Sequence, residues 1–151
     1  VEGLSGAPVH DLVLHPREND LVVGTHGRSV YVADMTYLQQ IDQNILNKNL
    51  HVFKVNNLKY SNRWGNRNWY GNLIEPSVEI VIFSKSNADI ELIIEGDNGE
   101  SIKDNQTLEY GLNFINHNLL INDKNKYLPK GKYKLKVTNL EESSFAEFEI
   151  N

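Results

Sequence analysis

An aromatic, asparagine-rich stretch, NRWGNRNWYGN at residues 62–72, has the residue types best suited to binding chemistry. Aromatic faces beside a few hydrogen-bonding groups are what a glycan site requires. We therefore predict a ligand-binding loop whose contact residues are Arg63, Trp64, Arg67, Trp69 and Tyr70. Packing is the favoured interpretation of the two, because both tryptophans of the chain lie here and aromatic clusters commonly anchor one domain against another.

The charge balance of the chain limits the partners of this loop. Stacking on single-stranded nucleic acid needs similar residues, but the formal net charge is −5, and nucleic-acid binders normally present a basic face. We therefore expect no nucleic-acid partner.

No apolar run reaches the roughly 20 residues of a membrane-spanning helix, and there is no cysteine, so neither a membrane span nor thiol chemistry is expected.

Three histidines near two carboxylates raise the possibility of a zinc site. They are His10, His15 and His26, with Asp11 and Asp34 close in sequence. His10 and His15 are five residues apart on one expected strand, which points them to opposite faces. We therefore predict no metal or cofactor, and assign these side chains to packing and turn hydrogen bonds.

The glycine-containing segment GTHGRS, residues 24–29, is a second candidate. It is not a phosphate-binding loop, because no Gly-Lys-Ser/Thr follows and no helix begins behind it. A hairpin turn is the simpler interpretation. Arg28 is expected to pair with Asp11 or Asp34, with a role in holding a ligand carboxylate as the alternative.

The segment EGDNGE offers carboxylate and amide oxygens of the kind that bind calcium. The oxygens belong to Glu95, Asp97, Asn98 and Glu100. Hairpin turns use the same Asp-Asn-Gly residues for conformational reasons. Both interpretations stay open, and calcium binding near Asp97 is left undecided.

Acidic residues give no catalytic pair. A glycosidase needs two carboxylates about 5–10 Å apart across a cleft, whereas the acids here are dispersed along expected strands and turns. No serine has the nucleophile-elbow pattern. We therefore predict no catalytic residue in this chain.

The elements that must position these residues are mostly strands. Residues 8–33 read as three strands, PVHDLVLHP, RENDLVVGT and HGRSVYVAD, separated by turn residues. Three short strands cannot bury both faces of a sheet alone. This segment is therefore expected to need neighbours.

A change of hydrophobic period predicts one amphipathic helix over residues 35–47. Thr36 and Gln39 have the spacing of a capping box. The apolar stripe consists of Leu38, Ile41, Ile45 and Leu46.

Residues 75–151 contain short strands at regular spacing, which favours an immunoglobulin-like β-sandwich. Ile90, Leu92 and Ile94 fall on one face of their strand. The candidate strands are SVEIVIFSK, ADIELIIEG, GESIKDN, LNFINHNLLI, GKYKLKVTN and FAEFEI, with Tyr133, Leu135 and Val137 on one face of the fifth.

Two stretches resemble a known family. PVHDLVLHPRENDLVVGTHGRSVYVAD resembles the closing blade of a BNR-repeat or sortilin-type β-propeller, with strands ending in HP and GT and a strand after GR. YGLNFINHNLLINDKNKYLPKGKYKLKV resembles the small immunoglobulin-like domain that follows such propellers, similar to that of the flagellar hook-capping protein. The matching positions in the second stretch are Gly111, Asn113, Leu128, Pro129, Gly131 and Tyr133. The Asp-box pattern of these propellers is absent from the blade segment.

The resemblance implies an all-β chain built in four parts. These are three strands of a partial propeller blade (1–34), a linking helix (35–49), an extended aromatic loop (50–74) and an immunoglobulin-like sandwich (75–151).

The resemblance also implies a function: a non-catalytic, C-terminal accessory or structural module of an exported propeller protein (periplasmic, cell-surface or secreted), assisting glycan or protein binding. Its first partner would be the rest of its own propeller, and the opening VEGLSG, without Met, likewise predicts a piece of a longer chain. The alternative implied by the resemblance is part of a BNR-repeat glycoside hydrolase whose catalytic residues lie in other blades. A blade lacking its fourth strand would expose an open edge, through which two copies could pair as a homodimer.

Overall fold

A computed structural model of the chain describes residues 8–27, 29–121, 126–140 and 142–151. Most of the described residues lie in antiparallel β-sheets, which confirms the all-β class that the sequence predicts. The chain divides into two compact units, of which one ends at Asn44 and the other begins at Ile45.

The N-terminal unit contains a three-stranded antiparallel sheet in the order β1-β2-β3. Its strands are β1 (Val9–Leu14), β2 (Asp20–Thr25) and β3 (Val30–Asp34). The β1–β2 connection turns through Asn19, whose φ is 56°. These strands confirm the three predicted over residues 8–33.

Both faces of the β1–β3 sheet are apolar. Adjacent cross-strand rows point to opposite faces, and two adjacent rows consist of Leu12–Val23–Tyr31 and Val13–Val22–Val32. On one face Leu12 is 59% exposed, and on the other Val13 and Val32 are 51% and 62% exposed. The sheet therefore leaves apolar side chains open to solvent on both sides.

The prediction of one helix over residues 35–47 is wrong. Two short helices replace it, α1 (Thr36–Gln40) and α2 (Gln43–Leu46). Ile41 between them has an extended backbone with ψ of 109°. Leu38 and Leu46, on the expected apolar stripe, remain 50% and 40% exposed, so little packing stabilises a continuous helix.

The start of α1 also differs from the predicted capping box. Met35 stands at the N-cap, and no side-chain hydrogen bond caps the helix from that position. Instead the Asp34 carboxylate accepts a hydrogen bond from the Thr36 amide at 2.7 Å. A hydrogen bond from the Thr36 side chain, together with this one from its amide, lowers the pKa of Asp34.

The C-terminal unit consists of two main sheets, in the orders β12-β11-β6-β7 and β4-β5-β8, and a short β10-β9 pair. The strands are β4 (Leu50–Val52), β5 (Val78–Ser84), β6 (Ala88–Gly96), β7 (Ser101–Leu108), β8 (Gly111–His117), β9 (Leu120–Ile121), β10 (Lys126–Tyr127), β11 (Gly131–Thr138) and β12 (Ser143–Ile150).

One hydrophobic core joins the two main sheets. Strand β6 contributes Ile90, Leu92 and Ile94, and β5 contributes Ile80 and Ile82. The predicted faces of β6 and β11 are confirmed, because the core side chains on both strands alternate with more exposed residues. The core residues of β11 are Tyr133, Leu135 and Val137.

Residues at the start of the predicted aromatic loop belong to this core. The strand β4 pairs with β5, and Leu50, Val52 and Val55 are buried in the cluster. The Val52 amide also donates to the Ser144 hydroxyl of β12 at 2.9 Å. Part of the segment 50–74 therefore closes one side of the C-terminal unit.

The segment LNFINHNLLI does not form the single strand predicted. Strand β8 ends at His117, and β9 begins at Leu120. Between them Leu119 adopts a φ of 57°, while its side chain is fully buried and its amide donates to His117 Nδ1 at 2.9 Å. Core packing and this hydrogen bond stabilise a conformation that leucine rarely adopts.

Candidate functional site

The aromatic loop is anchored along strand β12. Leu58 forms a parallel bridge with Ile150, and the Leu58 amide donates to the Glu149 carbonyl at 2.8 Å. The Tyr60 amide donates to the Asn151 carbonyl at 2.8 Å. The base of the loop therefore extends the four-stranded sheet by backbone hydrogen bonds.

Trp64 faces the protein. Its ring meets Tyr60 edge-on with centroids 5.0 Å apart, and meets Tyr127 at 6.4 Å in a similar geometry. The Lys130 ammonium lies 5.7 Å from the Tyr60 ring centroid. Trp64 is partly buried and packs against the hydrophobic core. Of the two roles predicted for the loop, ligand binding and packing, Trp64 has the packing role. It packs within its own unit.

Residues 65–74 form a narrow hairpin, which we call the aromatic hairpin. The Gly65 amide donates to the Ile74 carbonyl at 2.9 Å, and the Ile74 amide donates to the Asn66 carbonyl at 2.8 Å. The chain reverses at residues 68–71, the tip, where the Gly71 amide donates to the Asn68 carbonyl at 2.9 Å. Gly71 has a φ of 82°, a left-handed conformation that glycine adopts without strain.

Polar side chains at the tip bind its own backbone. Asn68 Oδ1 accepts hydrogen bonds from the amides of Tyr70 and Asn72, at 3.0 and 2.9 Å. The Arg67 guanidinium donates to the Gly71 carbonyl. Arg67, predicted as a ligand contact, therefore has a structural role in holding the turn.

Trp69 and Tyr70 occupy the two central positions of the turn. Trp69 is 96% exposed and Tyr70 is 85% exposed. Leu73, opposite Arg67 in the hairpin, is 47% exposed. The structure therefore separates the five predicted contact residues: Trp64 is directed inward, whereas Trp69 and Tyr70 project outward.

The charged residues within the loop are all basic. Arg63 is exposed, and residues 62–72 contain no carboxylate. The nearest acid after the hairpin, Glu75, accepts hydrogen bonds from the Tyr127 hydroxyl and the Asn118 amide group, both at 3.1 Å. Burial, with a further contribution from Glu75, raises the pKa of Tyr127.

The three histidines considered for zinc do not converge. The rings of His10 and His26 lie 4.8 Å apart at one end of the β1–β3 sheet. His15 lies beyond the other end of β1, and its Nδ1 accepts the Glu18 amide at 3.3 Å. Among the residues that the structure describes, no group of three or more histidines and acids could hold a metal ion. The predicted pairing of Arg28 lies outside the described residues.

The turn considered for calcium is organised by Asn98. Its side chain accepts the Glu100 amide at 3.0 Å and donates to the Tyr133 hydroxyl at 3.0 Å. Gly99 has a φ of 80°, as expected for the hairpin interpretation. A Cβ added to Gly96 would lie 2.6 Å from the Tyr133 ring, so this turn packs closely on the core tyrosine.

One polar residue in the core escaped the sequence analysis. His117 is 9% exposed, and its Nε2 lies 3.8 Å from Asp104 Oδ2. Burial lowers the pKa of His117, while the charge of Asp104 opposes that shift. The signal was present, because alternation from the core-packed Ile115 places His117 on the same face of β8.

No protein-family model matches the sequence, and no curated protein matches it significantly. Within the described parts of the chain, no helix has the length and apolar character needed to cross a membrane. The resemblance to BNR-repeat propellers therefore stays a prediction.

Proposed function

We propose that the chain is a non-catalytic accessory module of a larger, exported β-protein. In this proposal the β1–β3 sheet packs between neighbouring sheets, and the C-terminal unit presents the aromatic hairpin to a partner. The observation that carries the proposal is the pair of apolar, solvent-exposed faces on the β1–β3 sheet.

A sheet with one face in water alternates apolar and polar residues, whereas a sheet covered on both faces does not. Each large apolar side chain that becomes buried contributes about 1.5–3 kcal/mol relative to an exposed one. Coverage of both faces is therefore strongly favourable for β1–β3. A propeller blade packs on a neighbour at each face, which agrees with the HP, GT and GR features of the sequence.

The C-terminal unit is proposed to be an immunoglobulin-like sandwich. Its main sheets have four and three strands and share one core. The same division into sheets of four and three strands is found in constant-type immunoglobulin domains. In the proposed module this unit is stabilised by its own hydrophobic core and positions the aromatic hairpin.

The second candidate is that the intact protein is a glycoside hydrolase. Its paired carboxylates would then come from other blades, and the present chain would hold none of them. This candidate shares the blade assignment, and differs only in what the rest of the protein does.

The accessory-module proposal predicts that the isolated chain binds a hydrophobic dye through its N-terminal sheet. Leu12→Lys and Val13→Lys place a charge on opposite faces, and each should reduce the fluorescence of bound dye. Phe145→Lys, at a half-exposed residue of the C-terminal unit, is the matched control. Equal dye binding by all three variants and the unchanged chain would contradict the proposal.

Catalysis is tested separately. The isolated chain should not hydrolyse chromogenic glycosides or polysaccharides. Hydrolysis would overturn the non-catalytic assignment if it persists through purification and is lost when a single Asp or Glu is substituted. Such a result would not affect the assignment of the β1–β3 sheet.

A further inference from the structure

The accessory role gives the aromatic hairpin a partner but does not identify it, and the surface of the tip indicates its chemistry. Trp69 and Tyr70 are almost fully exposed at the centre of the turn, and Leu73, opposite Arg67 in the hairpin, is half-exposed. We propose that this tip inserts into the interfacial region of a lipid bilayer that carries anionic headgroups. The inference is independent of the assignment of the β1–β3 sheet.

The convex shape of the tip favours a bilayer over a soluble ligand. Ligand sites are concave and bury most of the ligand surface. Trp69 and Tyr70 instead occupy the central positions of a turn and have no enclosing walls, as their 96% and 85% exposure shows. A convex aromatic tip can bury both rings at once only in a partner that surrounds it.

Several backbone groups of the tip are already paired within the turn. Unpaired amides and carbonyls are costly in an apolar medium. The Asn68 amide donates to the Asn72 carbonyl, and the Gly71 amide donates to the Asn68 carbonyl. Asn68 Oδ1 satisfies the amides of Tyr70 and Asn72, while Arg67 satisfies the Gly71 carbonyl.

The same contacts weigh against a glycan. The Asn68 side-chain oxygen and the Arg67 guanidinium, which could have bound sugar hydroxyls, are engaged with the turn itself. What remains at the summit is an indole and a phenol. Tryptophan and tyrosine are enriched at membrane interfaces, because an apolar ring carries one polar group that stays near the headgroups.

The charge of the loop specifies the type of bilayer. Arg63 and Arg67 are the charged residues of the stretch 62–72. Basic residues close to a membrane surface are attracted by anionic lipids. The chain as a whole has a net charge of −5. Repulsion from an anionic surface should therefore orient the protein so that the basic hairpin approaches the membrane.

Sedimentation with lipid vesicles tests the proposal. Phosphatidylcholine vesicles containing phosphatidylglycerol should bind the chain, and Trp69→Ala and Tyr70→Ala should each weaken partitioning about tenfold through lost apolar burial. Tyr110→Ala is the matched control, since Tyr110 is 71% exposed but lies outside the hairpin. Failure to bind, or equal binding by all variants, would overturn the proposal.

The electrostatic part has its own variant. Arg63→Gln should reduce partitioning onto the phosphatidylglycerol vesicles about fivefold, the effect of losing one basic residue near an anionic surface. Pure phosphatidylcholine vesicles should bind the original chain more weakly than the anionic ones. Equal binding to both vesicle types, unchanged by Arg63→Gln, would refute an anionic partner.

Fluorescence identifies the inserted residue. Trp64→Phe leaves Trp69 as the only indole, and its emission should shift to the blue when anionic vesicles are added. Trp69→Phe leaves Trp64, which should not respond. A Trp69 signal that responds to soluble polysaccharides and not to vesicles would replace the bilayer with a glycan. Protection of Trp69 from acrylamide without vesicles would show a protein contact instead. If Trp64→Phe does not fold, sedimentation of the alanine variants decides.

Discussion

The β1–β3 sheet and the sheets of the C-terminal unit use similar strands in different ways. In β6 and β11, buried residues alternate with more exposed ones, and the buried set forms a shared core. In β1–β3 adjacent rows of both faces are apolar, and much of that surface is exposed. Alternation therefore marks a sheet that finds its core within the unit, and its absence marks a sheet that needs partners on both sides.

The largest expected effect comes from two matched leucines. Leu135 is fully buried in β11, and Leu12 is 59% exposed in β1. Leu135→Ala should destabilise the C-terminal unit by about 2–5 kcal/mol, whereas Leu12→Ala should change stability by less than about 1 kcal/mol, as at other exposed positions. Urea unfolding measures both. Similar losses would mean that β1–β3 is as well packed as the C-terminal core.

Two glycines sharpen the contrast in packing. A Cβ on Gly96 would lie 2.6 Å from the Tyr133 ring, whereas the nearest neighbour of a Cβ on Gly24 lies at 3.8 Å. Gly96→Ala should cost about 1–3 kcal/mol, because the Asn98 side chain and the tyrosine ring must both move. Gly24→Ala should be close to neutral in the same unfolding measurement. An unaffected Gly96→Ala variant would show that the turn adjusts freely.

The two tryptophans of the loop show the same difference between a packed and an exposed side chain. Trp64 packs against the core and two tyrosines, while Trp69 contributes no comparable burial. Trp64→Phe should lower the free energy of unfolding by about 1 kcal/mol through lost aromatic contact. Trp69→Phe should leave it unchanged within the error of a thermal or urea transition. The reverse order would contradict the inward and outward assignments.

The smallest effect concerns pH. Burial lowers the pKa of His117 below the ordinary value of 6.5, so the unfolded chain binds a proton more readily than the folded one. The contribution of His117 is therefore complete above about pH 6.5 and is lost as pH falls from there through the lowered folded-state pKa. Unfolding at a series of pH values should show this loss, and His117→Gln should remove it. A His117→Gln variant with the same acid sensitivity would assign the effect elsewhere.

Several features of the fold were readable from local patterns. The strands over residues 8–33, and the buried faces of β6 and β11, follow from period and turn residues. The single helix failed because its apolar stripe has little to pack against, as exposed Leu38 shows. The break after His117 was not predictable, since it depends on burial of Leu119 and on a hydrogen bond to a side chain.

The sequence predicted which residues form the candidate site, but not which of their side chains point inward or outward. Composition identifies the aromatic stretch, but which tryptophan turns inward depends on the distant Tyr127 and the core. The structural role of Arg67 likewise appears only when the turn brings the Gly71 carbonyl to its guanidinium. Spacing along the chain cannot supply either contact.

Native-state hydrogen exchange on the chain tests the central contrast most directly. The amides of β6 and β11 should exchange only through global unfolding of the C-terminal unit, while those of β1–β3 should exchange through openings of much lower free energy. Equal protection of both sets would contradict the account, because it would show that β1–β3 already has the packing it is proposed to need.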